Sequence, residues 1–280
     1  MVLYPGEMGN RARIFALTAP GLLFLGFFLL APITLLIVAS FRSGEAWTVG
    51  PYLNTLSKFV FRTAVFRTLR VGLIVSAVTA SLSYPTAYAI SKLTARTRAV
   101  LMSIALLPLM TTAVVRTFGW FVILGRQGIL NRFLAALGFV DRPVQFLYTE
   151  GAIVIGLTHL FFPLMLLSLI SAMENLPPDV EEAARSLGAN PIRAFARVVF
   201  PLTADGLVVG GTLVFTGCIT AYTTPAILGG TRVLTLSTLL QQRAMTLLDW
   251  ETATVVAIVL LALATIVNLG LRSLRRRGTA

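Results

Sequence analysis

The sequence predicts an all-α integral membrane protein with six transmembrane helices, and three observations carry that prediction. Six apolar runs recur along the chain, each close to the roughly 20 residues that cross a bilayer. Of 280 residues, 56% are hydrophobic and only 12% charged, with a mean hydropathy of +0.85; soluble domains carry about a quarter charged residues. One polar insert, 174–205, interrupts the pattern. It holds Glu174, Asp179, Glu181, Glu182 and Asp205, out of 11 acids in the chain.

Residues 1–13 form an inner N-terminus in which Arg11 and Arg13 precede the first run. Ile14 to Ser40 spans 27 residues without a charge, too long for a cleaved signal core, so a retained span over 14–40 is expected, kinked by Pro20 and Pro32. Phe41 to Arg70 reads as an external loop, with Phe59-Val60-Phe61 and Val65-Phe66 lying along the membrane surface. Its five basic residues run against that side, because short external loops are poor in Lys and Arg. The second span covers 71–91 and bends near Tyr84-Pro85; Lys92, Arg96 and Arg98 then mark the inner side.

The third span, 99–124, contains Pro108 and Arg116. At 1.5 Å per residue, Arg116 sits about 26 Å along it, near the outer surface. There it either snorkels to head groups or lines the mouth of a pathway, and Trp120 fits both readings. Ile129, Leu130, Phe133, Leu134 and Leu137 repeat at helical spacing and predict an amphipathic helix on the outer face. The fourth span, 151–173, carries Pro163 and the chain's one histidine, His159. With no Cys, Asp or Glu near it in sequence, a buried, hydrogen-bonded histidine is expected rather than a metal ligand.

In the fifth span, 206–228, Gly210-Gly211 and Gly217 supply a small face for close helix packing. Thr220, Tyr222, Thr223 and Thr224 make its outer third polar, so that part faces the bundle interior or an aqueous cavity. Pro225 is expected to end the helix, and Gly229-Gly230 to turn the chain. Leu234 to Leu248 reads as a re-entrant or surface helix, and 252–271 as the sixth span. Arg272, Arg275, Arg276 and Arg277 anchor the basic tail 272–280 inside. Inner segments total 12 basic residues against 10 outside, with Arg116 in the membrane, so the 92–98 loop and the tail set the orientation.

Within the insert, Pro177 and Pro178 suit the first turn of a helix. Glu181 and Glu182 then lie near the positive end of its dipole. Val180, Ala183, Ala184 and Leu187 form a shallow apolar side, and Glu181 can pair with Arg185 at i, i+4. Gly188 takes the left-handed stop. Asn190 and Pro191 cap and open a second helix, closed before Pro201. Pattern alone leaves two readings: a hairpin folded onto its own bundle, or a docking knob for another protein.

Other chemistries are excluded. The chain has no GxxxxGK[ST] phosphate loop, no HExxH, no CxxC and no Ser–His–acid set in a recognisable context. Its single cysteine, Cys218, forms no internal disulfide. A net charge of +12 points to lipid head groups rather than nucleic acid, because the basic residues are scattered between apolar runs.

The insert also resembles a known motif. Glu182-Ala183-Ala184, three residues, Gly188, nine residues, then Val198-x-Phe200-Pro201 is similar to the EAA loop of ABC importer permeases, with Val198 and Phe200 departing from the family's Ile and Leu. Arg116-Thr117-Phe118-Gly119-Trp120, Leu124-Gly125-Arg126, Gly128-Ile129-Leu130-Asn131 and Thr224 to Gly230 resemble the spermidine/putrescine branch over roughly 67–271. The resemblance implies the type I importer (MetI-like) fold in a bacterial inner membrane with both termini cytoplasmic. It implies that Glu181, Glu182, Ala183, Ala184, Arg185, Leu187, Gly188 and Pro201 couple to a cytoplasmic ATPase dimer, which holds the ATP and Mg, so that this chain is no enzyme and carries no cofactor. It further implies a second permease, commonly a different chain, and an external solute-binding protein. The expected cargo is a polyamine, with an opine, an amino acid or aminoethylphosphonate as alternatives. Candidate pathway residues are Arg116, Trp120, His159, Tyr222, Thr223 and Thr224. A non-transporting membrane scaffold is the alternative of another class.

Overall fold

The computed structural model describes residues 6–43, 46–177 and 179–278. Pro178, and the side chains expected as anchors at Arg11, Arg13, Arg272 and Arg275 to Arg277, lie outside the described set.

Among the described residues, four helices are long and apolar enough to cross a membrane. They belong to α1 (Gly6–Ser40), α3 (Phe59–Ser91), α7 (Glu150–Glu174) and α14 (Trp250–Gly278). Two bent pairs raise the number to six if each counts as one span. The core is the packing of α3, α7 and α11 (Ala204–Thr220) through Val75, Leu157, Met165, Leu166, Leu169 and Val214, all at most 2% exposed. Close approach of α11 to α7 depends on missing side chains. A Cβ on Gly210 would lie 2.6 Å from the Met165 sulfur, and one on Gly217 2.4 Å from the Phe161 ring, whereas Gly211 faces open space.

Three boundaries differ from the sequence expectation. First, the helix of the second span starts at Phe59, not residue 71, after a short α2 (Gly50–Ser57). Phe61 and Ala64 do not lie on a surface; they pack with Leu236, Leu239 and Val256. Second, the 99–124 run is two helices, α4 (Ala95–Met110) and α5 (Ala113–Leu124), with a 94° bend between Ala95–Met110 and Ala113–Ala136. Thr111 and Thr112 are extended, and the Thr112 hydroxyl caps α5 by accepting from Val115 N at 3.4 Å. Third, α11 stops at Thr220, and Pro225 lies inside a separate helix, α12 (Thr223–Gly229), after α6 (Ile129–Ala136) has formed the amphipathic turn upstream. Proline fits there because the first turn of a helix needs no N–H partner.

The segment after α12 folds back as α13 (Leu236–Gln241) and a π-helical turn, Gln242–Thr246. Leu236 to Leu239 are buried, so this is an inserted element and not a surface helix. It is tied by polar side chains to backbone: Thr68 Oγ1 accepts from Leu236 N at 2.9 Å, Arg67 donates to Leu234 O at 3.1 Å, and Ser237 donates to Ala221 O at 2.5 Å. Arg67 and Arg70 also share Glu150, at 3.0 and 2.8 Å.

Candidate functional site

The polar insert folds as a helical hairpin at one end of the bundle. Its first helix, α8 (Asp179–Ser186), has three acids in its first turn and no buried residue. It ends in two bonds around a left-handed glycine: Gly188 (φ +87°) N–H donates to Arg185 O at 3.0 Å and Ala189 N–H to Ala184 O at 3.1 Å. That pair is the Schellman closure, which glycine adopts without a Cβ penalty. Asn190 Oδ1 then accepts from Arg193 N at 2.8 Å and opens α9 (Pro191–Ala194).

The second helix does not close before Pro201. It runs on through a π turn, Phe195–Val199, into α10 (Phe200–Leu202), and bends 63° into α11. A wider turn ahead of Pro201 accommodates a residue that lacks an N–H and crowds the carbonyl four residues back.

The two adjacent acids of α8 part company. Glu181 turns towards α3, where Tyr88 Oη donates to its carboxylate at 2.9 Å and Lys92 Nζ pairs with the other oxygen. Lys92 Nζ also lies 5.3 Å from the Tyr88 ring centroid. The i, i+4 pairing with Arg185 does not form; Lys92 takes that place. Partial burial pushes the Glu181 carboxyl up, but the bonds from Lys92 and Tyr88 and the charges of Lys92 and Arg185 outweigh it and hold the group below the usual carboxylate range.

Glu182, Ala183, Arg185, Leu187 and Gly188 are exposed, Ala184 is half-buried, and Pro201 is exposed. Leu187 at 90% and Ile192 at 79% exposure are the most open apolar side chains of the hairpin. The predicted apolar side of α8 is thus divided, with Ala183 and Leu187 facing out.

Aromatic rings fasten the second helix to α3. Phe195 meets Tyr84 at 5.4 Å and Tyr88 at 4.9 Å edge to face, Phe200 lies 5.3 Å from Tyr84, and Tyr84 Oη hydrogen-bonds Thr203 Oγ1. Arg98 pairs with Glu174 at 2.6 Å and donates to Ser91 O at 3.0 Å. A cavity of about 510 Å³ lies between these parts, lined by Tyr88, Lys92, Arg98, Glu174, Glu181 and Val198. Tyr88 and Lys92 were missed as site residues. Lys92 gave only a topological signal in sequence, and nothing local linked either residue to Glu181.

The pathway candidates gather where α5, α7 and α12 meet. Trp120 Nε1 donates to His159 Nδ1 at 3.1 Å, with the rings edge to face at 5.7 Å. Thr224 is buried, with its hydroxyl 3.2 Å from that of Thr117, a residue that sequence reasoning did not single out. Tyr222, 41% exposed, and the half-buried Thr223 open α12. Arg116 lies on α5, close to the bend. Its guanidinium folds back to the Pro108 and Thr111 carbonyls, which end α4, and so staples the bend.

The polar hairpin thus stands between apolar helices and is fastened to the three-helix core by α3 side chains. Residues 11–278 match the family described as binding-protein-dependent transport system inner membrane component. The chain belongs to this family. This permease is 33% identical over 239 residues to the spermidine/putrescine transport system permease protein PotB of Haemophilus influenzae, covering 83% of each chain. It is 30% identical to PotB of Escherichia coli K12, over 73% of this chain and 74% of that one. To the putative 2-aminoethylphosphonate transport system permease protein PhnU of Salmonella typhimurium it is 29% identical, over 81% and 74%. Its fold is that of a chain in the crystal structure of a bacterial alginate ABC transporter complexed with an alginate-bound periplasmic protein. The TM-score is 0.82 at 17% identity, over 97% of this permease and 96% of that chain. The permease is therefore a multi-pass inner-membrane component of a binding-protein-dependent transport system, a family of transport subunits and not of enzymes.

Proposed function

We propose that this permease is one half of the translocation pathway of an ATP-driven importer for a polyamine. The hairpin lies on the cytoplasmic side, with both termini. Glu182, Ala183, Ala184, Arg185, Leu187 and Gly188 engage a cytoplasmic ATPase dimer, which carries the ATP and Mg. A second permease completes the pathway, and a solute-binding protein delivers cargo at the other end.

The observation that carries this reading is the division of α8. Glu181 is committed to its own bundle, while Leu187 and Ile192 stand out almost bare. Exposed apolar side chains at the tip of a capped hairpin need a cover, and a cleft in a partner supplies one. Closure of the ATPase dimer then pushes on a short lever. The Phe195, Tyr84 and Tyr88 rings pass the displacement to α3, and the spans move as rigid rods between inward- and outward-open states.

A polyamine is supported by the names of two relatives and by the side chains where α5, α7 and α12 meet. Trp120 and Tyr222 offer faces for an ammonium, and Thr223 a hydroxyl. In vesicles holding the assembled importer, Gly188→Val should abolish uptake of labelled spermidine while membrane insertion persists, because φ +87° is costly for a branched side chain. Wild-type uptake by that variant refutes the coupling role. Uptake of 2-aminoethylphosphonate in place of spermidine moves the substrate to the phosphonate class.

A further inference from the structure

At the end of the bundle opposite the hairpin, residues 124, 126, 145–148 and 230–232 line a second cavity of about 620 Å³. Its walls are fixed by side chain-to-backbone bonds. Asn131 Nδ2 donates to Gly125 O and Val144 O, each at 3.0 Å, and its Oδ1 accepts from Val144 N at 2.9 Å. Tyr148 N–H donates to Leu228 O at 2.8 Å. Two left-handed residues meet here, Tyr148 (φ 60°) and Gly230 (φ 56°), and a Cβ on Gly230 would lie 2.8 Å from the Tyr148 ring. Tyrosine in that conformation is uncommon and persists only where its surroundings enforce it; such backbone clusters at ligand clamps.

Arg126 and Arg232 line this cup together with Gln145 and Thr231. Both arginines are exposed, and neither guanidinium has a hydrogen bond or ion pair among the described residues. Elsewhere at this end Arg67 and Arg70 hold Glu150 and Arg243 holds Asp249, whereas Lys58, Arg62, Arg132 and Arg142 also stand outside the ion pairs recorded among the described residues but do not line the cup. The surplus of basic residues in segments that should be poor in them is therefore only partly structural. Arg126 and Arg232 contribute nothing to the fold that the structure records.

We propose that the cup is a socket for acidic side chains on the solute-binding protein, an inference that rests on the importer reading above. Paired guanidiniums around a rigid concavity favour carboxylates, which they bind in a planar, bidentate manner. They repel an ammonium, so the cup is no station for a polyamine. It opens at the tip of the bundle, beyond the ends of α5 and α12 and the start of α7, where a protein docks end-on. Charge at such a contact steers the encounter and fixes its register.

The test uses the assembled importer in nanodiscs of neutral lipid, titrated with its solute-loaded binding protein at low and high salt while ATP hydrolysis is followed. Charge reversal, Arg126→Glu with Arg232→Glu, should raise the half-saturating concentration about tenfold and flatten its salt dependence, with unstimulated hydrolysis unchanged. The neutral pair Arg126→Gln and Arg232→Gln should lie between. Unchanged half-saturation and salt dependence in both variants overturn the socket. So does an effect that appears only in anionic nanodiscs and without the binding protein, which assigns the cup to a lipid head group. If the wild-type importer is itself not stimulated by the binding protein, the importer reading falls and the socket with it.

Discussion

The two ends of the bundle differ in the balance of their ties. At the far end, beside the Arg67, Arg70 and Arg243 ion pairs, a set of side chains bonds to backbone: Asn131 ties residues 125 and 144, Thr68 and Arg67 tie 236 and 234, and Ser237 ties 221. At the hairpin end, beside the Arg98 bond to Ser91 O, the ties to the bundle are mostly between side chains: Glu181 with Tyr88 and Lys92, Arg98 with Glu174, and the Tyr84 ring against Phe195 and Phe200. A bond to backbone is lost only when the local fold opens. A bond between flexible side chains can be exchanged while both helices stay intact. The difference separates an anchored end from an end able to shift, as a lever must.

That contrast is broken most severely at Asn131, which is 3% exposed. Asn131→Ala removes three part-buried bonds at about 1 kcal/mol each, a loss of about 3 kcal/mol. The thermal midpoint of the purified protein should fall by roughly 5 °C, with spermidine uptake per folded molecule retained. A variant as stable as wild type would show that the far end does not depend on this tie.

The hairpin end should respond in the other direction, with transport lost and stability kept. Lys92 is about half exposed, so its pair with Glu181 is worth less than about 1 kcal/mol. Glu181→Gln or Lys92→Met should leave the thermal midpoint within about 2 °C, yet lower solute moved per ATP hydrolysed, because the lever is no longer held to α3. The exchanged pair Glu181→Lys with Lys92→Glu should recover part of the coupling. If both single variants couple as wild type, the inward turn of Glu181 is only packing.

The Glu181 carboxyl lies below its ordinary value, so its stabilising contribution is full above the unfolded value, about 4.3, and is lost as pH falls through the lower folded value. The attachment should therefore hold unchanged from neutral pH down to about 5 and weaken only in stronger acid. A spin label at Leu187, read across that range, checks it; release near neutral pH contradicts the pairing.

How much of this was readable in the sequence follows from the range of each interaction. Gly188, Asn190 and Pro191 obey capping rules that act within a turn, and the structure uses them as those rules require. The Tyr88–Glu181 bond joins residues 93 apart, and no local pattern encodes such a meeting. The break at Thr111-Thr112 fell between these cases. Hydropathy averages across a turn, so 99–124 read as one rod. Thr112 ahead of an apolar run was nonetheless a cap signal, and it caps α5. Arg116 was placed by length along a straight helix, and its bonds to the Pro108 and Thr111 carbonyls follow from a bend that hydropathy does not show.

The smallest expected effect falls at the junction of α5, α7 and α12, which belongs to neither end. Trp120 is half-buried and spends its N–H on His159, which fixes the plane of the indole and so the face it offers. Trp120→Phe keeps an aromatic face but drops the donor and the strongest cation–π surface, each a matter of about 1 kcal/mol. Spermidine turnover should fall about threefold, with little change in stability, and Trp120→Ala should fall further. A scaffold role predicts a different order, in which Trp120→Ala destabilises the junction of α5, α7 and α12 while turnover per folded molecule stays constant. Turnover and melting measured on the same two variants therefore decide whether this junction touches the cargo or only joins the anchored end to the moving one.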